Sequence, residues 1–167
     1  MIIRPLERED DRDGFGCGEP ALDTFLRKHA LSNHESGLSR IYVAVDDPAP
    51  RVILGYYALS NTSIAADQLA SVVTERLPRY PIPAILIGKL ATDARRHGRG
   101  LGRDLLKHAL QTSLRVAELS AALGVLVDAK SYDVVGFYEK YGFQVIPPSK
   151  LPQPMFLPMA TLRASLP

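Results

Sequence analysis

Hydrophobic and polar positions change period along this chain, from the alternation typical of strands to the spacing of three and four typical of amphipathic helices. Strand patterns occupy Ile2–Leu6, Arg40–Val45, Val52–Leu59, Ala84–Thr92, Gly124–Ala129, Phe143–Ile146 and Met155–Met159. Helix patterns occupy Glu19–Asn33, Asp67–Leu77, Leu101 to about Leu123, and Asp133–Tyr141. This order of elements predicts an α/β fold (mixed α+β), with a mixed sheet and helices on both of its faces.

The predicted helix that begins at Leu101 is strongly amphipathic. Its polar sector holds Asp104, Lys107, Gln111, Arg115 and Glu118. A charged sector of this kind is typical of a solvated helix face. The helix joins the strand before it to the strand Gly124–Ala129, and such a strand–helix–strand unit requires a crossover, so these two strands are predicted to run parallel.

Composition narrows the class of protein. The chain has 167 residues, of which 46% are apolar and 23% charged, and its formal net charge is +2. These values are ordinary for a globular domain and do not by themselves indicate a nucleic-acid binder. Because Cys17 is the single cysteine, the chain cannot form an internal disulfide. The N-terminus becomes charged too early for a secretory signal, and no apolar run approaches the length of a membrane span. We therefore expect one domain over residues 1–167, located in the cytoplasm and without membrane contact.

A glycine-rich turn between the predicted strand Ala84–Thr92 and the long helix carries the clearest chemical signal. Its sequence is Arg95-Arg96-His97-Gly98-Arg99-Gly100-Leu101-Gly102. A helix N-terminus has backbone amides without partners and about half a positive charge, so it attracts phosphate groups. The spacing Arg-x-x-Gly-x-Gly differs from the dinucleotide fingerprint and from a P-loop. The turn alone leaves two readings open, an anion site and a tight turn with solvated arginines.

A second motif follows about forty residues after the turn. It reads Phe137-Tyr138-Glu139-Lys140-Tyr141-Gly142-Phe143. Together the two motifs resemble the GNAT N-acetyltransferase superfamily, in which the first cradles the pyrophosphate of acetyl-coenzyme A and the second supplies a tyrosine beside the thioester sulfur. The resemblance implies a single GNAT-like domain over residues 1–167, with a central mixed, mostly antiparallel sheet of about six to seven strands. It also implies acetyl-coenzyme A (acetyl-CoA) as the co-substrate.

Further segments resemble a narrower group, the acetyltransferase toxins of bacterial toxin–antitoxin pairs. They are Phe15-Gly16-Cys17-Gly18 with Leu22-Asp23 and Phe25-Leu26, Gly55 to Leu59, Pro81 to Pro83, Leu90 to Asp93, and Val127 to Ala129. This resemblance implies acetyl transfer to the α-amino group of aminoacyl-tRNA, which stops translation, and inhibition by a ribbon-helix-helix antitoxin. It also allows a homodimer. Two alternatives stay open: a GNAT enzyme acting on a small amine, polyamine or protein amine, and a non-catalytic coenzyme A-binding module.

The resemblance also implies which residues bind the cofactor. These are Leu90, Ala91, Thr92, Arg95, Arg96, His97, Gly98, Arg99, Gly100, Leu101, Gly102 and Ser131. The strand backbone at Leu90 and Thr92 would pair with the pantetheine arm, and the amides from Arg96 to Gly102 would hold the pyrophosphate. Ser131 stands where the family often has an asparagine.

Tyr138 is the candidate catalytic residue, because its phenol can protonate the departing thiolate. Tyr141, one turn further along the predicted helix and on the same face, is its rival. Simple packing of the Tyr138 ring on the sheet is the other alternative. No general base is evident, since no motif supports Glu35 or Asp128. An α-amino group has a pKa of about 7.7–8.0, against about 10.4 for lysine, so much of it is already neutral at physiological pH. The absence of a base therefore agrees with an α-amine acceptor.

The remaining polar residues bear on metals and nucleic acid. Four histidines and one cysteine lack metal-ligand spacing, so no metal site is expected. The arginines of the glycine-rich turn form a first basic stretch with Arg103 and Lys107, and some of these side chains are expected to contact the phosphates of coenzyme A. A second basic stretch consists of Arg27, Lys28, His29, His34 and Arg40. Phosphate contacts by such residues would give RNA affinity that falls steeply with salt, and solvated surface charge is the alternative. The toxin resemblance favours aminoacyl-tRNA as the partner.

Overall fold

A computed structural model of the chain describes residues 1–165. Its strands are β1 (Ile2–Pro5), β2 (Arg40–Val45), β3 (Gly55–Ile64), β4 (Ile82–Thr92), β5 (Gly124–Ala129), β6 (Gln144–Val145) and β7 (Gln153–Pro158). Its α-helices are α1 (Pro20–Lys28), α2 (Ala30–Ser36), α3 (Leu101–Ser120), α4 (Tyr132–Glu139) and α5 (Met159–Ser165). The strands form a seven-stranded sheet in the order β1-β2-β3-β4-β5-β7-β6, which confirms the predicted fold class.

The chain divides into two compact units. One contains Met1–Ser60 and Ile87–Ala109, and the other contains Asn61–Leu86 and the chain from Leu110 onward. In the first unit β1 and β3 both pair antiparallel with β2. In the second unit β5 and β6 both pair antiparallel with β7. A single domain over residues 1–167 stays a prediction, and the last two residues of that range lie outside the described chain.

Each unit buries its own apolar cluster. The cluster of the first unit includes Leu6, Phe15, Leu26, Ala30, Ile41, Val43 and Tyr56. The cluster of the second unit includes Ile64, Leu69, Val72, Val73, Ile82, Ile146 and Phe156. No helix in residues 1–165 is long and apolar enough to span a membrane.

The predicted helix Glu19–Asn33 is wrong in its continuity, because the structure has two helices there. The break lies at His29, whose φ of −123° and ψ of −27° end α1. Leu26 and Ala30 on either side of the break are both completely buried. Neither proline nor glycine stands at the break, so the pattern carried no signal for it.

The predicted helix Asp67–Leu77 is also wrong, because only a short 3-10 helix forms, at Ala66–Leu69. The apolar residues whose spacing predicted the helix are nevertheless buried, as Leu69, Val72 and Val73 show. Turns bury them instead of an α-helix, as the amides of both valines donate to the Leu69 carbonyl. Adjacent β-branched residues disfavour a helix, and Pro78 prevents its continuation.

Other element ends are shifted relative to the predictions. The predicted strand Val52–Leu59 begins later, at Gly55, and continues to Ile64, and β4 begins two residues before the predicted Ala84. The helix α3 ends at Ser120, before the predicted Leu123. The final helix α5 has no counterpart among the predicted elements.

Candidate active site

The glycine-rich turn lies where the sequence predicts it, between β4 and α3. After β4 the chain passes through Asp93 and a short 3-10 helix at Ala94–Arg96, and α3 begins at Leu101. Gly98 has a φ of 76° and Gly100 a φ of 79°. Residues with a side chain enter this left-handed region at a cost of about 1–2 kcal/mol. The backbone path of the turn therefore favours glycine at both positions.

The turn presents backbone amides that are free to bind an anion. Within residues 1–165 the amides of residues 98–102 donate to no acceptor, and the α3 ladder begins with the Asp104 amide, 3.1 Å from the Gly100 carbonyl oxygen. The amides of Arg96 and His97, also predicted to hold the pyrophosphate, instead donate to the carbonyls of Asp93 at 2.8 Å and of Ala94 at 3.4 Å. Gly102 lies in the first turn of α3, where a Cβ would meet only Thr92 Cγ2, at 3.9 Å. Neither backbone strain nor packing therefore requires glycine there, although glycine weakens a helix. Close approach of a ligand to these amides, as the sequence predicts, would give a physical reason for glycine there.

Asp93 fixes the beginning of the turn. Its buried carboxylate accepts hydrogen bonds from the Arg95 amide at 2.9 Å, from Arg95 Nε at 2.7 Å and from Arg95 Nη2 at 3.0 Å. It also accepts one from the Gly16 amide at 3.2 Å. The Arg95 side chain is the main reason why the pKa of Asp93 falls from 3.8 to about 2, although burial opposes the fall. Arg95, predicted to bind the cofactor, thus has its guanidinium engaged in bracing the turn.

We expect Asp93→Asn to lower the free energy of unfolding at pH 7 by about 1–2 kcal/mol, because it removes a buried charged acceptor whose main partner, Arg95, is exposed to solvent. A depressed folded-state pKa gives stability that is present above the unfolded-state pKa and lost as the pH falls through the folded-state value. The difference between wild type and variant should therefore stay constant above pH 5 and shrink between about pH 4 and 2. Urea unfolding across this range measures it. A difference independent of pH would contradict the role assigned to the Asp93 charge.

The other basic side chains of the turn differ in their pairing. Arg96 Nη2 lies 3.2 Å from Asp46 Oδ2, and Arg103 Nε lies 3.2 Å from Asp104 Oδ1. Arg99 is exposed and makes no ion pair within residues 1–165. Of the arginines predicted to contact phosphate, Arg99 is therefore the one whose guanidinium needs no rearrangement to do so.

The end of β4 supplies the segment predicted to pair with pantetheine. Leu90 and Thr92 are half-buried and Ala91 is buried. The Thr92 carbonyl oxygen lies 3.0 Å from His97 Nε2, so it accepts a hydrogen bond when that nitrogen carries the ring proton. A carbonyl has a second lone pair and can accept another donor. The Leu101 side chain is buried, which leaves its backbone amide as the group available to a ligand.

The segment at residues 15–26 that carries the toxin resemblance packs against the beginning of the turn. The Gly16 carbonyl accepts a hydrogen bond from the Ala94 amide at 2.8 Å. The rings of Phe15 and Tyr56 meet edge to face at 5.5 Å, and the Tyr56 hydroxyl donates to the Leu22 carbonyl at 2.7 Å. The sequence did not reveal this bracing role, because it joins residues about eighty positions apart.

Tyr138, the candidate catalytic residue, lies in α4 with 6% of its surface exposed. Its ring centroid lies 5.3 Å from those of both Phe137 and Phe143. The Tyr138 hydroxyl forms no hydrogen bond within residues 1–165. Ser39 Oγ is the one side-chain polar atom in that range that is both fully buried and without a hydrogen-bond partner, so the Tyr138 hydroxyl retains some contact with solvent. Burial, with a smaller contribution from Asp128, raises the pKa of Tyr138 to about 12. The phenol therefore stays protonated at physiological pH, as a proton donor must.

Tyr141 lies outside α4, because this helix ends at Glu139 and the predicted helix Asp133–Tyr141 is two residues too long. The Tyr141 amide donates to the Tyr138 carbonyl at 3.0 Å, and its ring lies 5.4 Å from that of Phe137. The two tyrosines therefore do not share a helix face.

Ser131 is the N-cap of α4. Its hydroxyl oxygen accepts a hydrogen bond from the Val134 amide at 3.3 Å. This contact satisfies one of the unpaired amides of the helix and gives the serine a role that needs no cofactor. The hydroxyl proton remains available to a second partner, so the predicted contact between Ser131 and the cofactor stays a prediction.

The second basic stretch contains one histidine that cannot contact phosphate through Nδ1. His34 Nδ1 accepts a hydrogen bond from the Ile41 amide at 2.9 Å, and burial lowers the pKa of His34, so the ring is neutral. Glu35, considered as a base, pairs with Arg8 at 2.6 Å in an exposed position. Residues 1–165 contain no cluster of three or more histidine, cysteine or carboxylate side chains that could hold a metal ion.

Comparison with known proteins shows similarity along most of the chain. The family model for the acetyltransferase (GNAT) domain matches residues 37–145. A tRNA-acetylating toxin of Mycobacterium tuberculosis is 36% identical over 148 residues, which cover 89% of this chain and 87% of that protein. A probable toxin TacT of Sinorhizobium fredii is 35% identical over 172 residues, which cover 98% of this chain and 93% of that protein.

Solved structures give the same result for the fold. The toxin AtaT complexed with acetyl-methionyl-tRNAfMet superimposes with a TM-score of 0.86 at 25% identity, over 98% of this chain and 97% of that one. A tyrosine-to-phenylalanine mutant of AtaT, bound to the C-terminus of the antitoxin AtaR and to acetyl-CoA, gives a TM-score of 0.82 at 26% identity, over 99% of this chain and 97% of that one.

Proposed function

The chain belongs to the GNAT acetyltransferase family, and on that premise we propose that it is a toxin that transfers acetyl from acetyl-CoA to the α-amino group of aminoacyl-tRNA and so blocks translation. The observation that carries the proposal is the 36% identity, over 89% of the chain, to a protein named as a tRNA-acetylating toxin. The AtaT structure with acetyl-methionyl-tRNAfMet supports the same substrate class.

The residues of the turn suit acetyl-CoA as the co-substrate. Its pyrophosphate matches the free amides of residues 98–102, and the left-handed Gly98 and Gly100 keep side chains away from them. The backbone of Leu90 to Thr92 would hold the pantetheine arm. Arg99 would add a charge to the phosphates, whereas Arg95 would act through Asp93. Bound acetyl-CoA supplies the acetyl group as an activated thioester.

Tyr138 is the proposed general acid. Its phenol is protonated, its hydroxyl has no competing partner within residues 1–165, and its ring is held by two phenylalanines. It would donate its proton to the thiolate that leaves when the neutral amine attacks the acetyl carbon, and the proton that the attacking nitrogen then loses would pass through water to the phenolate and restore the phenol. Tyr141, which lies beyond the helix, is the alternative donor.

The acceptor amine needs little help to lose its proton. An α-amino group titrates near pH 8, so a substantial neutral fraction exists without a protein base. We further propose that a ribbon-helix-helix antitoxin restrains the enzyme, and the structure of mutant AtaT bound to the C-terminus of the antitoxin AtaR supports an antitoxin partner. The proposed site of action is the cytoplasm, where charged tRNA is found, and a homodimer is the proposed assembly.

Radiolabelled acetyl-CoA incubated with the protein should label aminoacylated tRNA and leave the same tRNA unlabelled after deacylation, because deacylated tRNA has no α-amine. If arginines and lysines contact tRNA phosphates, KM for charged tRNA should rise steeply between 50 and 200 mM salt, by about tenfold or more. Filter binding of labelled tRNA and initial rates measure both effects. Efficient acetylation of free amines or peptides, with charged tRNA untouched, would favour the small-amine or peptide enzyme instead.

A further inference from the structure

The second unit has a surface groove on both sides of an exposed tyrosine. A cavity of about 500 Å³ is lined by Ser63, Ala65, Ala66, Asp67, Arg79, Tyr80 and Pro81. A neighbouring cavity of about 320 Å³ is lined mainly by apolar side chains, together with Tyr80 and Arg163. Tyr80 lines both cavities and is 65% exposed. We call the two cavities together the Tyr80 groove.

The charged side chains of the Tyr80 groove are not used within the fold. The side chains of Arg79, Arg163 and Asp67 form no ion pair or hydrogen bond with any residue of the described chain. All three are exposed. The fold therefore gives no structural reason for two arginines and a carboxylate to flank an exposed tyrosine.

This combination matches the chemistry of single-stranded RNA. Aromatic rings stack on bases, arginines contact the phosphates between them, and a carboxylate accepts hydrogen bonds from exocyclic amino groups. Every tRNA ends in single-stranded CCA, and cytosine and adenine both carry such an amino group. A solvated protein surface would not need the aromatic ring. An acidic peptide would offer carboxylates to the arginines, whereas a nucleic-acid base combines a ring that stacks on Tyr80 with an amino group that donates to Asp67.

We propose that the Tyr80 groove binds the single-stranded 3′ end of the tRNA substrate. Tyr80 stacks on a base, Arg79 and Arg163 contact phosphates, and Asp67 accepts a hydrogen bond from a cytosine or adenine amino group. This inference rests on the proposed function, since it names the surface that would bind the RNA part of the aminoacyl-tRNA substrate.

The test compares initial acetylation rates at varied concentrations of charged tRNA. Tyr80→Ala should raise KM for charged tRNA about tenfold, because stacking of one base typically changes affinity by a factor of about 5–150. Tyr80→Phe keeps the aromatic ring, so its KM should stay near that of wild type. Arg79→Glu should raise the same KM at least as much, while KM for acetyl-CoA and kcat remain within about twofold. Arg115→Glu is the matched control, an exposed arginine on α3 outside both cavities.

Base recognition is tested with fluorescent oligonucleotides by anisotropy. Wild type should bind 5′-ACCA-3′ more tightly than 5′-AUUA-3′, because uracil offers a carbonyl oxygen where cytosine offers an amino group. Asp67→Asn should lose this preference, because an amide can donate as well as accept. Equal binding of both sequences by wild type would refute the role of Asp67.

The outcomes separate this inference from the proposed function. If wild type does not acetylate charged tRNA, the proposed function fails. If wild type acetylates it and Tyr80→Ala and Arg79→Glu behave like Arg115→Glu, the groove does not bind the RNA. Variants that keep a normal KM but escape inhibition by a co-expressed antitoxin would show that the groove binds protein, which overturns the inference.

Discussion

Gly100→Asp is expected to weaken acetyl-CoA binding by about 100-fold or more while the protein stays folded. The substitution puts a negative charge among the amides of residues 98–102, which have no other acceptor within residues 1–165. A Cβ at Gly100 would also lie 3.0 Å from Arg103 Nη2, so the new carboxylate would draw that guanidinium toward itself. Isothermal titration calorimetry with acetyl-CoA measures the loss.

Backbone strain is the confounding effect, because Gly100 has a positive φ. Gly37 offers a matched control, since its φ is 80° and a side chain there meets nothing within 4 Å. Gly37→Asp should lose about the same stability, on the order of 1–2 kcal/mol, and keep its affinity for acetyl-CoA. Unchanged affinity in a folded Gly100→Asp protein would remove the pyrophosphate from this turn.

The elements that sequence predicted best are those whose signals are local. The bounds of β2 and β5 match the predictions, because each is a short apolar run bounded by turn residues. The glycine turn was predictable for the same reason, since Gly98 and Gly100 are local signals of the left-handed backbone that the turn adopts. Elements that depend on tertiary contacts were predicted less accurately, and the helix break at His29 is one example.

The same distinction between local signals and tertiary contacts applies to the candidate site. The sequence suggested that Arg95 binds the cofactor, whereas the structure shows its guanidinium held by Asp93. The bond between Gly16 and Asp93 was likewise hidden, because the two residues are far apart in sequence. The Tyr80 groove was not predicted, since Asp67 lies in a segment predicted as a helix that does not form, and Arg79 and Tyr80 lie in no predicted element.

Tyr138→Phe should reduce kcat by a factor of about 10²–10⁴, the usual contribution of general acid catalysis, with little change in acetyl-CoA affinity. The substitution removes only a hydroxyl that has no partner within residues 1–165, so no buried group is left unsatisfied and stability should be nearly unchanged. Single-turnover rates with charged tRNA, together with calorimetry for acetyl-CoA, separate chemistry from binding.

The pH dependence provides an independent check on the same residue. A donor whose pKa is raised to about 12 stays protonated to high pH, so kcat should show no alkaline fall below about pH 10. Tyr141→Phe is the control, because that ring also contacts Phe137 but lies outside α4. Loss of turnover in Tyr141→Phe with normal turnover in Tyr138→Phe would transfer the role to Tyr141. Normal turnover in both would mean that water protonates the thiolate, and the buried phenol of Tyr138 would then be a packing residue.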